Sequence, residues 1–127
     1  MYQEITSDVQ VEALPRYVPE QSVPGRSYFF FAYRIKITNL SPAPIQLVSR
    51  KWLITDGHGK VQEVAGPGVV GQQPRIPPGE SFAYESFCPL PTPTGNMRGT
   101  YVMLDEAGRE YEVKIPLFFL RDAASLH

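Results

Sequence analysis

The chain reads as an all-β fold: an antiparallel two-sheet sandwich, fibronectin type III or immunoglobulin-like, with about seven strands. Three observations predict it. Apolar and polar residues alternate in short runs along the chain. Turn residues, among them 13 prolines and 10 glycines in 127 positions, separate those runs at regular spacing. No segment carries a helical period of useful length, and no repeat or linker divides residues 1–127, so one domain is expected.

The elements follow in order. Val9, Val11 and Ala13 alternate with Asp8, Gln10 and Glu12, which marks a half-buried strand. Residues 14–26 are expected to form a loop, because Pro15, Pro19, Pro24 and Gly25 interrupt them. Residues 28–38 give the clearest strand, with Phe29, Phe31, Tyr33, Ile35 and Ile37 on one face. Phe30 and Ala32 keep the other face apolar at its start, as in a strand covered on both sides. Tyr28 and Phe30 therefore read either as an exposed aromatic patch for a partner or as residues covered by the 14–26 loop.

A turn at residues 39–44 leads into a strand over residues 45–55, whose Trp52 is expected in the core. Asp56-Gly57-His58-Gly59 then makes a tight turn, and residues 60–64 return as the second arm of a hairpin. Residues 81–88 alternate as a strand, and residues 89–95 form a loop. Residues 97–104 and 110–118 pair around Asp105-Glu106-Ala107-Gly108-Arg109, and Pro116 places the last strand at a sheet edge.

Composition narrows the function. Twelve Lys and Arg balance 13 Asp and Glu, so the basic surface that nucleic acid requires is not expected. Apolar content of 43% excludes a disordered chain. The lone Cys88 forbids an internal disulfide and suits a reducing compartment. The first residues lack the basic and apolar regions of a secretory signal, and the longest apolar run, residues 28–33, is too short to span a bilayer. A cytoplasmic protein, monomeric or homodimeric, is the expectation.

The most informative stretch is Gly66-Pro67-Gly68-Val69-Val70-Gly71. Its G-x-G-x-x-G spacing matches the loop that brings backbone amides to a pyrophosphate in dinucleotide-binding folds. That loop must open a helix, and here Pro74, Pro77 and Pro78 forbid one. Two readings remain for Gly66, Gly68 and Gly71: an anion-binding nest of amides, or glycines demanded by turns and close packing. Arg50 and Arg75 are the cations available to a phosphate, and Gln73 completes the candidate binding set.

Catalytic and metal sites find little support. Ser86 and Cys88 lie on an expected strand without a nucleophile elbow, and His58 is the one base within the folded region. His127 is terminal, and the acidic hairpin at Asp105, Glu106, Glu110 and Glu112 lacks converging oxygens. No enzyme, no metal and no cofactor are expected.

Several segments taken together resemble the bacterial ApaG proteins. They are Arg50-Lys51-Trp52-Leu53-Ile54-Thr55-Asp56, residues 64–79, Phe82-Ala83-Tyr84-Glu85-Ser86, Gly95-Asn96-Met97-Arg98-Gly99-Thr100-Tyr101 and Ile115-Pro116-Leu117-Phe118. The resemblance runs from about Ile5 to Leu120 and implies a fibronectin-III-like sandwich. Similar domains in eukaryotic F-box proteins and in a polymerase-delta-interacting protein imply an interaction module with a protein partner. The bacterial family is associated with cobalt and magnesium tolerance and with genes for dinucleoside polyphosphate hydrolysis. A non-catalytic binding module is thus the leading expectation, and a pyrophosphate or nucleotide sensor at Gly66–Gly71 is the alternative.

Overall fold

Alternation along the chain becomes nine strands in the computed structural model, which describes residues 2–122. They are β1 (Tyr2–Thr6), β2 (Val9–Tyr17), β3 (Phe29–Asn39), β4 (Ile45–Asp56), β5 (Val61–Pro67), β6 (Arg75–Ile76), β7 (Ser81–Leu90), β8 (Thr94–Leu104) and β9 (Glu110–Arg121). One sheet is ordered β1-β2-β3-β7 and the other β5-β4-β8-β9, with β6 paired to the start of β4. Neighbouring strands are antiparallel throughout.

The period of two explains the core. Phe31, Ile35 and Ile37 of β3 are wholly buried, facing Leu47, Tyr101, Met103, Val113 and Phe118 of the second sheet. Each such side chain contributes about 1.5–3 kcal/mol on leaving water. Trp52 is in the core as expected, edge-on to Tyr33 at 5.4 Å and to Phe118 at 5.9 Å.

All seven expected strands form, and two more join them. β1 pairs with β2, Tyr2 opposite Ala13 and Thr6 opposite Val9. β6 is two residues long and exists through its pairing with Ile45 and Gln46. The expected loop at 14–26 is also shorter than its prolines suggested, because β2 continues to Tyr17, with Pro15 opposite Tyr33. Pro15 lies past the β1 pairing, which reaches only to Tyr2 opposite Ala13, so β2 is an edge there, and an edge tolerates a proline. The rest of that segment contains two single-turn 3-10 helices, Pro19–Gln21 and Pro24–Arg26.

That segment leaves the outer aromatics uncovered. Phe30 stacks on Phe87 at 5.4 Å beside Tyr28, and Tyr28 and Phe87 stay 40% and 65% exposed. Pro116 lies in the edge strand β9 as expected, at a bulge where Pro116 and Leu117 together oppose Arg98. A second bulge interrupts β4. Leu47 pairs with Met103 and Ser49 with Val102, leaving Val48 as the extra residue.

The two flanks of the sandwich differ. On one, the Lys114 amide of β9 donates to Thr6 Oγ1 of β1 at 3.2 Å, tying the sheets together. On the other, β5 and β7 are both edge strands, and neither pairs with the other. The glycine loop emerges on this open flank.

Candidate functional site: the glycine loop and the cleft beneath it

The hairpin turn at Asp56 sends β5 back along β4, pairing Gly66 with Arg50 and Ser49 with Pro67. Gly66 and Pro67 are therefore strand residues, and the loop proper covers residues 68–74. The Gly68 amide donates to the Val48 carbonyl at 2.8 Å. Val69 and Gln72 then exchange both backbone hydrogen bonds, at 2.8 and 2.9 Å. Between them Val70 (φ 43°) and Gly71 (φ 78°) both have positive φ, as a tight hairpin turn of the primed kind requires.

Bulging is what anchors the loop. The Val48 carbonyl accepts from the Gly68 amide and from Gln73 Nε2 at 2.9 Å. Gln46 Nε2 donates to the Gln73 carbonyl at 3.1 Å, and the Leu47 amide donates to the Pro74 carbonyl at 3.0 Å. Val69 is buried in the core at 1% exposure, whereas Val70 at the apex is 52% exposed. Gly68 has φ 61°, and a Cβ there would collide with the Gln72 carbonyl oxygen. Architecture thus demands Gly68 at that position.

Arg50 shares its strand face with buried Trp52 and lies between Gly66 of β5 and buried Tyr101 of β8, so it points between the sheets. Its Nη1 donates to the carbonyls of Pro67 and Gly68, both at 2.9 Å. A Cβ on Gly66 would lie 3.3 Å from that nitrogen, so the glycine provides the room in which the guanidinium lies. No ion pair engages Arg50 among the described residues, whose two recorded pairs are Arg16–Glu85 and Lys51–Glu63.

Under the loop is a cleft of about 320 Å³ between the sheets, lined by Arg50, Tyr33, Tyr84, Ser86, Val70 and Gly71 among others. The Tyr84 and Tyr101 hydroxyls are 2.5 Å apart, and Ser86 lies opposite Tyr33 across the β3–β7 ladder. Burial raises the pKa of Tyr33, Tyr84 and Tyr101, and the Arg50 charge opposes the rise in each. All three phenols stay protonated near neutrality. A larger open trough of about 740 Å³ lies over the second sheet, where Lys51, Leu53, Arg98, Thr100 and Lys114 line it.

The structure thus brings Gly66, Gly68, Gly71, Gln73 and Arg50 together. Arg75 stands apart: it pairs with Gln46 through β6 and lines a different, smaller cavity with Asp105 and Glu106. His58 is exposed, and its amide and that of Lys60 donate to Asp56 Oδ1. Asp105 Oδ1 likewise accepts from the Ala107 and Arg109 amides, so these carboxylates shape turns. No group of three or more His, Cys, Asp or Glu suited to a metal occurs among the described residues, and His127 lies outside them. Cys88 is buried, which pushes its thiol up to about 11. No helix among the described residues is long and apolar enough to cross a membrane.

Sequence reasoning did not single out Val48, Tyr84 or Tyr101. The one available signal was parity: two strand residues an odd number apart, Leu47 and Trp52, both apolar enough to be buried.

Fold and loop together define a small two-sheet β-sandwich with a glycine loop pinned over one open flank. Comparison with known proteins gives that class its family. Residues 19–105 match the ApaG domain, and the chain belongs to that family. It is 54% identical over 120 residues to the protein ApaG of Bordetella pertussis, covering 94% of this chain and 92% of the relative. The ApaG of Bdellovibrio bacteriovorus is 51% identical over 120 residues, 94% of each chain. A crystal structure of a Bordetella pertussis protein named ApaA superposes with a TM-score of 0.89 at 54% identity, covering 91% of this chain and 94% of that one.

Proposed function

We propose that the protein is a non-catalytic binding module of the ApaG type that recognises a protein partner in the cytoplasm through its glycine loop. The observation that carries this reading is Val70. A β-branched residue with positive φ is a conformational outlier, and the strain costs on the order of 1–2 kcal/mol. Half of the side chain is exposed, so little burial offsets that strain. Strain held in an apolar side chain at the tip of a pinned loop is the signature of a contact surface. Pinning also lowers the ordering cost of association.

Any link to cobalt or magnesium tolerance passes, in this reading, through the partner. The alternative is a pyrophosphate or dinucleotide sensor that uses the amides of Gly66–Gly71. It has less support, because the Gly68, Val69 and Gln72 amides are already committed within the protein and Arg75 lies apart.

The test is Val70→Asn, which removes the apolar contact and suits positive φ. Partners retained by the wild-type chain from a bacterial lysate are identified by mass spectrometry, purified and titrated against both forms. The expected outcome is an undiminished melting temperature with affinity reduced at least about tenfold, the scale of a hot-spot residue. Equal affinity of the two forms refutes the loop as the recognition surface.

A further inference from the structure

We infer that the cleft between the sheets is a binding site for one small tetrahedral oxyanion, of the phosphate or sulfate class, held by the Arg50 guanidinium and the Tyr33 and Tyr84 hydroxyls. The site is distinct from the backbone amides of the loop above it.

Charge is the first argument. Arg50 is only partly exposed and points between the sheets. Among the described residues it has no carboxylate partner, and the residues lining the cleft include no acid. Its Nη1 is occupied by the Pro67 and Gly68 carbonyls, while Nε and Nη2 have no hydrogen-bond partner among the described residues. Those two nitrogens form the edge of the guanidinium that receives two anion oxygens side by side. The carbonyls on Nη1 hold that edge in place before any ligand arrives.

Proton direction is the second. Tyr101 is 0% exposed, and its hydroxyl has one hydrogen-bond partner among the described residues, Tyr84 Oη. A buried hydroxyl that failed to donate would be orphaned, so Tyr101 donates to Tyr84. The hydrogen of Tyr84 is then directed elsewhere, and Tyr84 lines the cleft. Accepting from Tyr101 also polarises Tyr84 as a donor. Tyr33 and Ser86, opposite one another on β3 and β7, put two more hydroxyls on the same wall. Each of these hydroxyls carries a hydrogen that it can donate.

Geometry selects the anion. The guanidinium comes from β4 in one sheet, and the hydroxyls come from β3 and β7 in the other. A planar carboxylate takes its donors close to one plane. Donors on two facing walls suit oxygens that point out of a plane, as in a tetrahedral ion.

The experiment is an NMR titration of the intact chain at constant ionic strength with inorganic phosphate, sulfate and acetate. The observed signals are the Arg50 Nε–H and the ring resonances of Tyr33 and Tyr84. Phosphate and sulfate should give saturable shifts at these groups, with acetate about tenfold weaker. Tyr84→Phe should weaken phosphate about tenfold, Arg50→Gln at least as much, and Arg34→Ala, an exposed cation, not at all. If Arg50→Gln loosens the loop, Tyr84→Phe compared within a Tyr101→Phe background still decides the matter, since no buried hydroxyl is then stranded. The inference is overturned if no shift saturates by about 50 mM ligand, a bound set by millimolar affinity. It is also overturned if acetate matches phosphate, if Tyr84→Phe binds as well as wild type, or if shifts are confined to the amides of residues 68–73. No protein partner enters this titration, so it and the loop test fail separately.

Discussion

Gly68 and Gly71 both have positive φ, yet the loop constrains them differently, and replacing each by alanine separates two costs. A Cβ on Gly71 meets nothing within 4 Å, so Gly71→Ala carries the backbone penalty alone, about 1–2 kcal/mol. A Cβ on Gly68 would strike the Gln72 carbonyl oxygen, which accepts from the Val69 amide and closes the turn. Moving that carbonyl sacrifices the reciprocal pair between Val69 and Gln72, at about 1 kcal/mol for each bond. Gly68→Ala should therefore cost about 3–4 kcal/mol, roughly 2 kcal/mol more than Gly71→Ala by the same accounting. For a chain of 127 residues, 1 kcal/mol corresponds to about 4 °C in melting temperature. The expected drops are thus about 14 °C and about 6 °C on that scale. Calorimetry measures them, and urea unfolding with an unchanged m-value confirms that the native state is what changed. Equal losses for the two variants would refute the account of the loop as a hairpin closed over Gly68.

Two further outcomes follow from buried polar groups. Asn39 is fully buried, with Nδ2 donating to the Ala43 and Ile76 carbonyls and Oδ1 accepting from the amide and hydroxyl of Ser41. Asn39→Ala strands the Ile76 carbonyl and should lower stability by about 2–4 kcal/mol in urea unfolding. Stability should also fall in base: the unfolded Cys88 thiol ionises near 9 and the folded one near 11, so above 9 the unfolded chain releases a proton that the folded chain keeps. The thiol accounts for on the order of 2–3 kcal/mol by pH 11. The raised phenols of Tyr33, Tyr84 and Tyr101 continue the decline above 10, and a melting temperature that stays flat from pH 8 to about pH 11 contradicts this linkage.

How much of this was legible depended on whether a residue's place is set by its neighbours in sequence or by distant pairing. β3 and β4 announce themselves because Phe31, Ile35 and Trp52 sit in phase with the core. β1 gives no such sign: Ile5 is 57% exposed while Glu4 is half-buried, so its pattern runs against its position. β6 is too short for any periodicity, and the extension of β2 through Pro15 depends on where a different strand ends. In the loop, the spacing of Gly66, Gly68 and Gly71 marked a segment of special backbone shape, where Gly68 and Gly71 have positive φ. Its chemistry was not legible, because Arg50 meets the loop only through the register of β4 on β5. Arg75 looked equivalent in sequence, and pairing with Gln46 carried it elsewhere.

The extra residue in β4 acts as a phase shifter. A strand is a binary clock that assigns each successive side chain to one of two compartments, and Val48 makes it skip a beat. Before the skip, Ile45 and Leu47 face inward; after it, Arg50, Trp52 and Ile54 do. Flattening the bulge with Val48 kept in the ladder would reverse the assignment downstream, sending Lys51 inward and Arg50 to water. Deleting Val48 would instead leave a plain alternation in which Leu47, Arg50 and Trp52 keep their inward places, so the bulge and its extra residue cancel one another.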